Sequence, residues 1–348
     1  MITDIANALS DTHEVDFLTY RNDKVLQPLS DKVNHIHNPL YKNKIKPLEN
    51  IGQICKLHKF IKKNSYDVAI AFLHPSNYML TLASKGTKTK VLLSERADPY
   101  SRKKNGGLYT HLIEHILYRA DGYVFQSNGA MELYPQKCQE KGVVIVNSIP
   151  DDLTDLHFTG KRKKTVVHVA RMELIQKRQD VMLEAFKIFS EKHPDYVLEF
   201  YGDGPEEDKM KALAHEMGLD DKVDFKGAQG NILSHIADAG MFVLTSDYEG
   251  LPNALLEAAA IGLPCISTDC SPGGARMIIE DGKNGFIVPC GDYKMLAERM
   301  CELAEDSEKA ERFSREAMKI TEKFEPSEIY RRWEEFVSSL GRKDEEKK

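Results

Sequence analysis

Two carboxylates eight positions apart, Glu249 and Glu257, bracket a helix start within the segment Ser246-Asp-Tyr-Glu-Gly-Leu-Pro-Asn-Ala-Leu-Leu-Glu-Ala-Ala-Ala-Ile-Gly-Leu-Pro264. The apolar run Met241–Thr245 before it predicts a buried strand. Pro252 and Asn253 are helix-opening types, and Ala254–Ile261 is rich in strong helix formers. Glu249 is therefore expected on the loop that leaves a strand, and Glu257 about one turn into the helix. A helix start presents N–H groups and positive potential, which suit a phosphate. Carboxylates on either side repel that phosphate but accept hydrogen bonds from sugar hydroxyls. The combination fits a ligand with phosphate in its middle and hydroxyl-bearing rings at both ends, as in a nucleotide sugar.

Such a ligand needs cations. Arg171, Lys177 and Arg178 follow the apolar run Val166–Ala170 and are placed to neutralise a diphosphate. The turn Gly202-Asp-Gly204-Pro-Glu206 follows Val197–Tyr201; it has two glycines of a dinucleotide fingerprint but not the third. Earlier in the chain, Phe72-Leu-His74-Pro75 and Ser94-Glu-Arg96-Ala-Asp98-Pro99 put polar groups at two successive strand ends. In an open α/β sheet, ligands bind beyond the carboxyl ends of the strands, so each of these loops is a candidate.

The elements that must carry these loops alternate along the chain. Candidate strands are Val15–Tyr20, Val68–Phe72, Val91–Ser94, Tyr123–Gln126 and Val143–Asn147. A second series follows at Val166–Ala170, Val197–Tyr201, Val223–Phe225, Met241–Thr245, Cys265–Ser267 and Phe286–Val288. Helical patterns such as Gln179–Lys192 and Glu206–Met217 lie between them. Two series of this kind predict two doubly wound α/β domains with parallel sheets. The expected domains are 1–155, 161–325 and 326–348, the last a C-terminal helix and charged tail. Asp151–Lys164 is the expected linker. The chain opens on a helical pattern, Ile2–Leu9, and its first glycine is Gly52. The expectation is that the N-terminal domain lacks its first strand and glycine-rich turn.

Composition narrows the function classes. A chain of 348 residues with 41% hydrophobic and 29% charged residues is ordinary for a globular protein. No apolar run approaches the ~20 residues that span a bilayer, and no signal-peptide pattern appears, so a cytoplasmic location is expected. Residues 1–160 hold 20 Lys+Arg against 17 Asp+Glu, whereas the remainder holds 28 against 37. The mildly basic first half suggests peripheral contact with the inner face of the cytoplasmic membrane. Nothing in the sequence supports nucleic-acid binding. The six cysteines form no Cys-x-x-Cys pair, and no metal site is expected.

Taken together these residues resemble the retaining glycosyltransferases of family four, which have the two-domain GT-B fold. The resemblance covers nearly the whole chain and is strongest from Arg171 to Pro289. Asp247-Tyr-Glu-Gly-Leu-Pro-Asn-Ala-Leu-Leu-Glu257, Ile266-Ser-Thr-Asp-Cys270, Gly273-Gly274 and Asn284-Gly-Phe286 are similar to bacterial members that assemble capsule, exopolysaccharide and lipopolysaccharide. The resemblance implies that Arg171 and Lys177 hold the donor diphosphate, with Arg178 sharing the role because their spacing is six where five is commoner. It implies that Glu257 accepts from ribose hydroxyls and that Glu249 and His74 meet the transferred sugar. Gly250, Leu251, Pro252 and Asn253 would line the phosphate or sugar, with Gly202 and Gly204 also on the donor side. The resemblance further implies that the two domains face each other across a cleft, with 1–155 binding acceptor and 161–325 binding donor, and that Arg96 and Asp98 lie on the acceptor side. The implied activity is transfer of a hexose or N-acetylhexosamine from a nucleotide sugar, UDP-linked, to a saccharide or lipid-linked saccharide, without metal or other cofactor. Two alternatives are a nucleotide-sugar epimerase of the same fold and an inactive nucleotide-binding subunit.

Overall fold

A computed structural model of the chain describes residues 1–20, 27–38, 46–100, 107–150, 153 and 156–342. The linker expected at Asp151–Lys164 falls partly outside the described residues, and the charged tail beyond Arg342 falls wholly outside them. The chain divides into two compact units, Met1–Ser148 with Pro326–Lys348, and Ile149–Glu325.

The first unit opens with helix Ile2–Leu9, followed by strands β1 (Val15–Thr19) and β2 (Val33–His37), which pair in parallel. A second parallel sheet runs in the order β3 (Val68–Phe72), β4 (Lys90–Ser94), β5 (Gly122–Phe125), β6 (Gly142–Val144). Helices Lys46–Asn64, His74–Ala83 and Leu108–Leu117 contribute Leu57, Ile61, Leu80, Ile113 and Leu117 to one core with Val91, Tyr123 and Phe125. The final helix, Pro326–Arg342, packs on helix Ile2–Leu9 and on β3 and β4. Its Trp333 is fully buried against Phe72, with ring centroids 5.8 Å apart.

The sequence pattern missed β2. Its residues read Val-Asn-His-Ile-His, and only Val33 is buried. A strand that covers one neighbour and turns polar side chains to solvent has no apolar run to announce it. β6 also stops short of the Val143–Asn147 expected. The last bond to β5 runs from the Ile145 N–H to the Phe125 carbonyl at 2.9 Å, and Asn147 beyond it is buried as a hydrogen-bond hub.

The second unit is built on a six-stranded parallel sheet. Its order is β12 (Gly285–Val288), β11 (Cys265–Thr268), β10 (Met241–Leu244), β7 (Thr165–Val169), β8 (Val197–Tyr201), β9 (Val223–Gly227). The inner strands are largely apolar because helices cover both faces, and all four residues of β10 are buried, whereas the edge strand β9 exposes Asp224. Helix Gln179–Lys192, Phe200, Met241, Phe286 and Leu296 supply the core. Successive strands step outward on one side of β7, then the chain returns to β10 on its other side. The β7–β10 gap is therefore the topological switch point, where the loops after the two strands diverge and leave a crevice.

Candidate functional site

The loops that leave β7 and β10 hold most of the chemistry singled out in the sequence. After β7 the chain forms one helical turn, Leu174–Lys177, and breaks at Arg178, whose φ of 50° is left-handed. It then enters helix Gln179–Lys192. After β10 the loop Thr245–Pro252 leads into helix Asn253–Ala260, whose N-cap residue, Pro252, makes no side-chain cap bond. Backbone and side-chain bonds lace the two loops together. Asp247 N–H donates to the Gln176 carbonyl at 2.9 Å, Thr245 Oγ1 to the Lys177 carbonyl at 2.8 Å, and Gln176 Nε2 to the Tyr248 carbonyl at 3.0 Å.

This lacing brings Lys177 and Glu249 into a largely buried ion pair, Nζ to Oε1 2.5 Å. Ser246 Oγ donates to the same carboxylate oxygen at 2.7 Å. Behind them, His168 on β7 lies 3.2 Å from Thr245 Oγ1. Burial, and then the charge of Lys177, push its imidazole down to about 3, so it is neutral. Arg171 is largely exposed, 3.7 Å from Glu173. Arg178 turns away from Glu249 to a fork of carboxylates, with Nη1 on Asp247 at 3.1 Å and Nη2 on Asp180 at 3.0 Å. Its αL backbone sends it there, one residue after Lys177.

Glu257 sits one turn into its helix, half-buried, and no side chain engages its carboxylate among the described residues. Burial alone pushes that carboxyl up to about 7. A partly desolvated carboxylate without donors is ready to accept from hydroxyls. Leu251 is buried and Pro252 forms the N-cap of the helix, so backbone lines its start. Gly202 and Gly204 have a packing reason to be glycine. A Cβ on Gly202 would lie 2.2 Å from the Ala170 carbonyl oxygen, and one on Gly204 would lie 2.4 Å from that of Met172. Both glycines let the loop after β8 press against the loop that holds Arg171.

In the first unit, the carboxyl ends of β3 to β6 carry a polar cluster. Arg96 sits beside the rings of both Phe72 and Trp333, 5.5 Å from each centroid. It donates to Ser94 Oγ and to Asn147 Oδ1, both at 2.6 Å, and Gln126 Nε2 donates to the same Asn147 oxygen at 2.9 Å. Burial pulls the guanidinium down to about 9, opposed by the Glu95 charge, so it stays protonated at neutral pH. Asp98 is buried and accepts from the Tyr100 N–H at 2.8 Å. His74 opens helix His74–Ala83, with its ring 6.0 Å from Tyr78.

Ser246, Gln176, Thr245, Asn147 and Gln126 were not singled out as site residues. They are neutral polar side chains without motif spacing; burial beyond a strand end marks Thr245, Ser246, Asn147 and Gln126, and nothing local marks Gln176. One set of metal-type donors converges among the described residues, His193, Cys301 and Glu305, all within 4.8 Å of one another. None of them is among the residues singled out above.

Residues 155–320 match the family model described as glycosyl transferases group 1. A glycosyltransferase of Haemophilus influenzae, itself uncharacterized, is 26% identical over 288 residues, covering 81% of this chain and 79% of the relative. The Campylobacter jejuni N-acetylgalactosamine-N,N'-diacetylbacillosaminyl-diphospho-undecaprenol 4-alpha-N-acetylgalactosaminyltransferase is 24% identical, covering 79% of this chain and 77% of the relative. The solved structure of Anabaena Alr3699/HepE in complex with UDP and glucose matches with a TM-score of 0.79 at 19% identity, covering 97% of this chain and 95% of that one.

Proposed function

We propose that this chain, whose residues 155–320 match the group 1 glycosyl transferases and whose fold is GT-B, transfers a hexose or N-acetylhexosamine from a UDP-sugar, with retention of configuration. The acceptor in this reading is a saccharide or lipid-linked saccharide of a growing cell-surface polysaccharide or glycan. The reading is supported by the Campylobacter relative, named for transfer to a diphospho-undecaprenol-linked sugar, and by Alr3699/HepE, solved with UDP and glucose.

The observation that carries it is the buried Lys177–Glu249 pair at the switch point, on the same strand-end loops as the helix start at Pro252–Asn253 and the Glu257 carboxyl, which no side chain engages among the described residues. In transfer, the bond from the anomeric carbon to the β-phosphate oxygen breaks, the acceptor oxygen bonds to that carbon, and its proton passes to the released phosphate oxygen. Negative charge collects on the departing diphosphate. The Lys177 ammonium has three N–H donors; one serves Glu249, which leaves two for phosphate oxygens. Exposed Arg171 adds a bidentate donor. Such fixed cations stabilise charge where it develops. Glu249 would accept from hydroxyls of the transferred sugar, and Glu257 from the ribose. His74 would contact the same sugar, and Arg96 and Asp98 would shape the acceptor side.

A thermal-shift titration with UDP, GDP and a panel of UDP-sugars tests the donor. A ligand at about 100 times its Kd should stabilise the bound form by ~2.7 kcal/mol. Selective stabilisation by UDP compounds is expected. A folded protein that ignores every nucleotide would sink the proposal. Because side-chain cations meet the diphosphate in this reading, chelation by EDTA is expected to leave the rate of transfer unchanged.

A further inference from the structure

Helix Gln179–Lys192 follows β7, helix Tyr293–Glu305 follows β12, and the two pack together. Both begin beyond the carboxyl ends of the strands and run back. Their last turns therefore meet near the amino ends of the strands, away from the loops that hold Lys177 and Glu249. Three unlike side chains converge there. His193 is the C-cap of the first helix. Cys301 and Glu305 lie four positions apart on the second, hence on one face of it. Their ligand atoms all lie within 4.8 Å of one another, and His193 Nε2 is 3.2 Å from Glu305 Oε1.

The three groups are held differently. Cys301 is buried, with 5% of the residue exposed. The His193 ring stacks on fully buried Phe189, centroids 4.8 Å apart, and meets Tyr196 edge-on at 6.0 Å. Glu305 is exposed at the end of its helix, so its carboxylate has room to turn. A nitrogen and a sulfur thus form a fixed floor under an adjustable oxygen. A hydrogen bond between imidazole and carboxylate would account for two of these groups. The thiol, one turn before Glu305, brings a third donor of metal-binding type to the same point.

We propose that His193, Cys301 and Glu305 bind a divalent ion of the zinc class, which clips the last turns of the two helices together. The donor set selects the ion. Magnesium and calcium take oxygen ligands, whereas zinc accepts thiolate, imidazole and carboxylate together. Tetrahedral zinc, with bonds of about 2.0–2.3 Å, holds its ligand atoms about 3.3–3.7 Å apart. The His193–Glu305 separation is close to that, and side-chain movement of roughly 1 Å brings in the rest. Exposure at Glu305 leaves the fourth position to water. Burial raises the Cys301 thiol and the Lys192 charge lowers it; a coordinating ion displaces the thiol proton outright. Because 112 positions separate His193 from Glu305, no motif spacing records the site.

The site does not depend on the sugar-transfer proposal and is read without donor or acceptor. The full chain, free of any affinity tag, is stripped with EDTA under reducing conditions. It is then titrated with Zn(II) against a chromophoric chelator and, separately, with Co(II). One saturable equivalent is expected, with the near-ultraviolet charge-transfer absorption of a cobalt–thiolate bond. The exposed thiols Cys55 and Cys290 are the rival ligands. C55S/C290S should therefore keep that absorption and C301S should abolish it. Losing a group that only supports a ligand costs about 10–100-fold in metal affinity, so losing a ligand should cost at least ~10-fold in E305Q and at least ~100-fold in C301S. Zinc should raise the melting temperature of the wild type and leave that of C301S unmoved. Glu305 is exposed, so E305Q is expected to fold even if C301S does not, and its zinc affinity then decides. No saturable equivalent, a cobalt spectrum without thiolate absorption, or equal zinc affinity in wild type and E305Q would overturn the proposal. So would loss of the absorption in C55S/C290S.

Discussion

At the residue scale, Lys177 and Glu249 combine a stability role with a chemical one. Removing one partner strands a charge in a largely buried place, which typically costs about 3–5 kcal/mol. Lys177→Met is therefore expected to lower the urea midpoint strongly. The double variant Lys177→Met/Glu249→Gln should recover much of that loss, since no charge remains unpaired, while donor turnover stays lost in both. Recovery of turnover together with stability would show the pair to be structural only. Glu257 makes a pH prediction. Its carboxyl is raised from 4.5 to about 7. Its contribution to folding is thus full below the unfolded value of 4.5 and is lost as pH rises through about 7. Ribose hydroxyls donate to the charged form, so nucleotide affinity runs the other way. Calorimetry should show UDP binding tighten as pH rises through about 7, and Glu257→Gln should flatten that step. An unchanged pH profile in the variant would remove Glu257 from the site.

At the element scale, the second unit's site depends on how closely its strand-end loops approach. Gly202 has a φ of +121°, and an added Cβ would collide with the Ala170 carbonyl. Gly202→Ala is expected to cost about 1–3 kcal/mol, the range for a strained backbone. It should also raise the KM for donor, because Ala170 to Met172 must shift with Arg171 between them. Melting curves and donor kinetics on one preparation check both, and a variant with wild-type values would show the loop to be slack. Arg178 makes the same point about backbone. Its left-handed turn ends one short helix, starts the next and directs the guanidinium to Asp180 and Asp247, while Lys177 takes the place beside Glu249.

At the scale of the whole molecule, the last helix completes the first unit although it follows the second in sequence. Trp333 is the chain's single tryptophan and is buried against Phe72 and Arg96. Its fluorescence should therefore report the unfolding of the first unit, whereas UDP should stabilise the second. With UDP added, the circular-dichroism transition of the second unit is expected to move upward while the tryptophan transition shifts less. Trp333→Ala should destabilise the first unit by about 3–5 kcal/mol, as for a large buried aromatic. Coincident movement of both signals would mean that the two units unfold as one.

The sequence by itself determined the periodicity of the chain and therefore its class. Buried parallel strands must be apolar along their length, and β7, β10 and β11 were legible for that reason. It also determined that Glu249, Glu257, Arg171 and Lys177 fall on strand-end loops or helix starts, because turn residues and helix formers mark those boundaries locally. Only the tertiary structure decided which of them meet. Lys177 and Glu249 are 72 residues apart, joined by the strand order that sets β7 beside β10. The αL turn at Arg178, the exposed polar strand β2, the hub at Asn147 and the seat of Trp333 were likewise silent in the sequence. Each depends on what lies opposite in space, and a local pattern of apolar and polar residues does not record that.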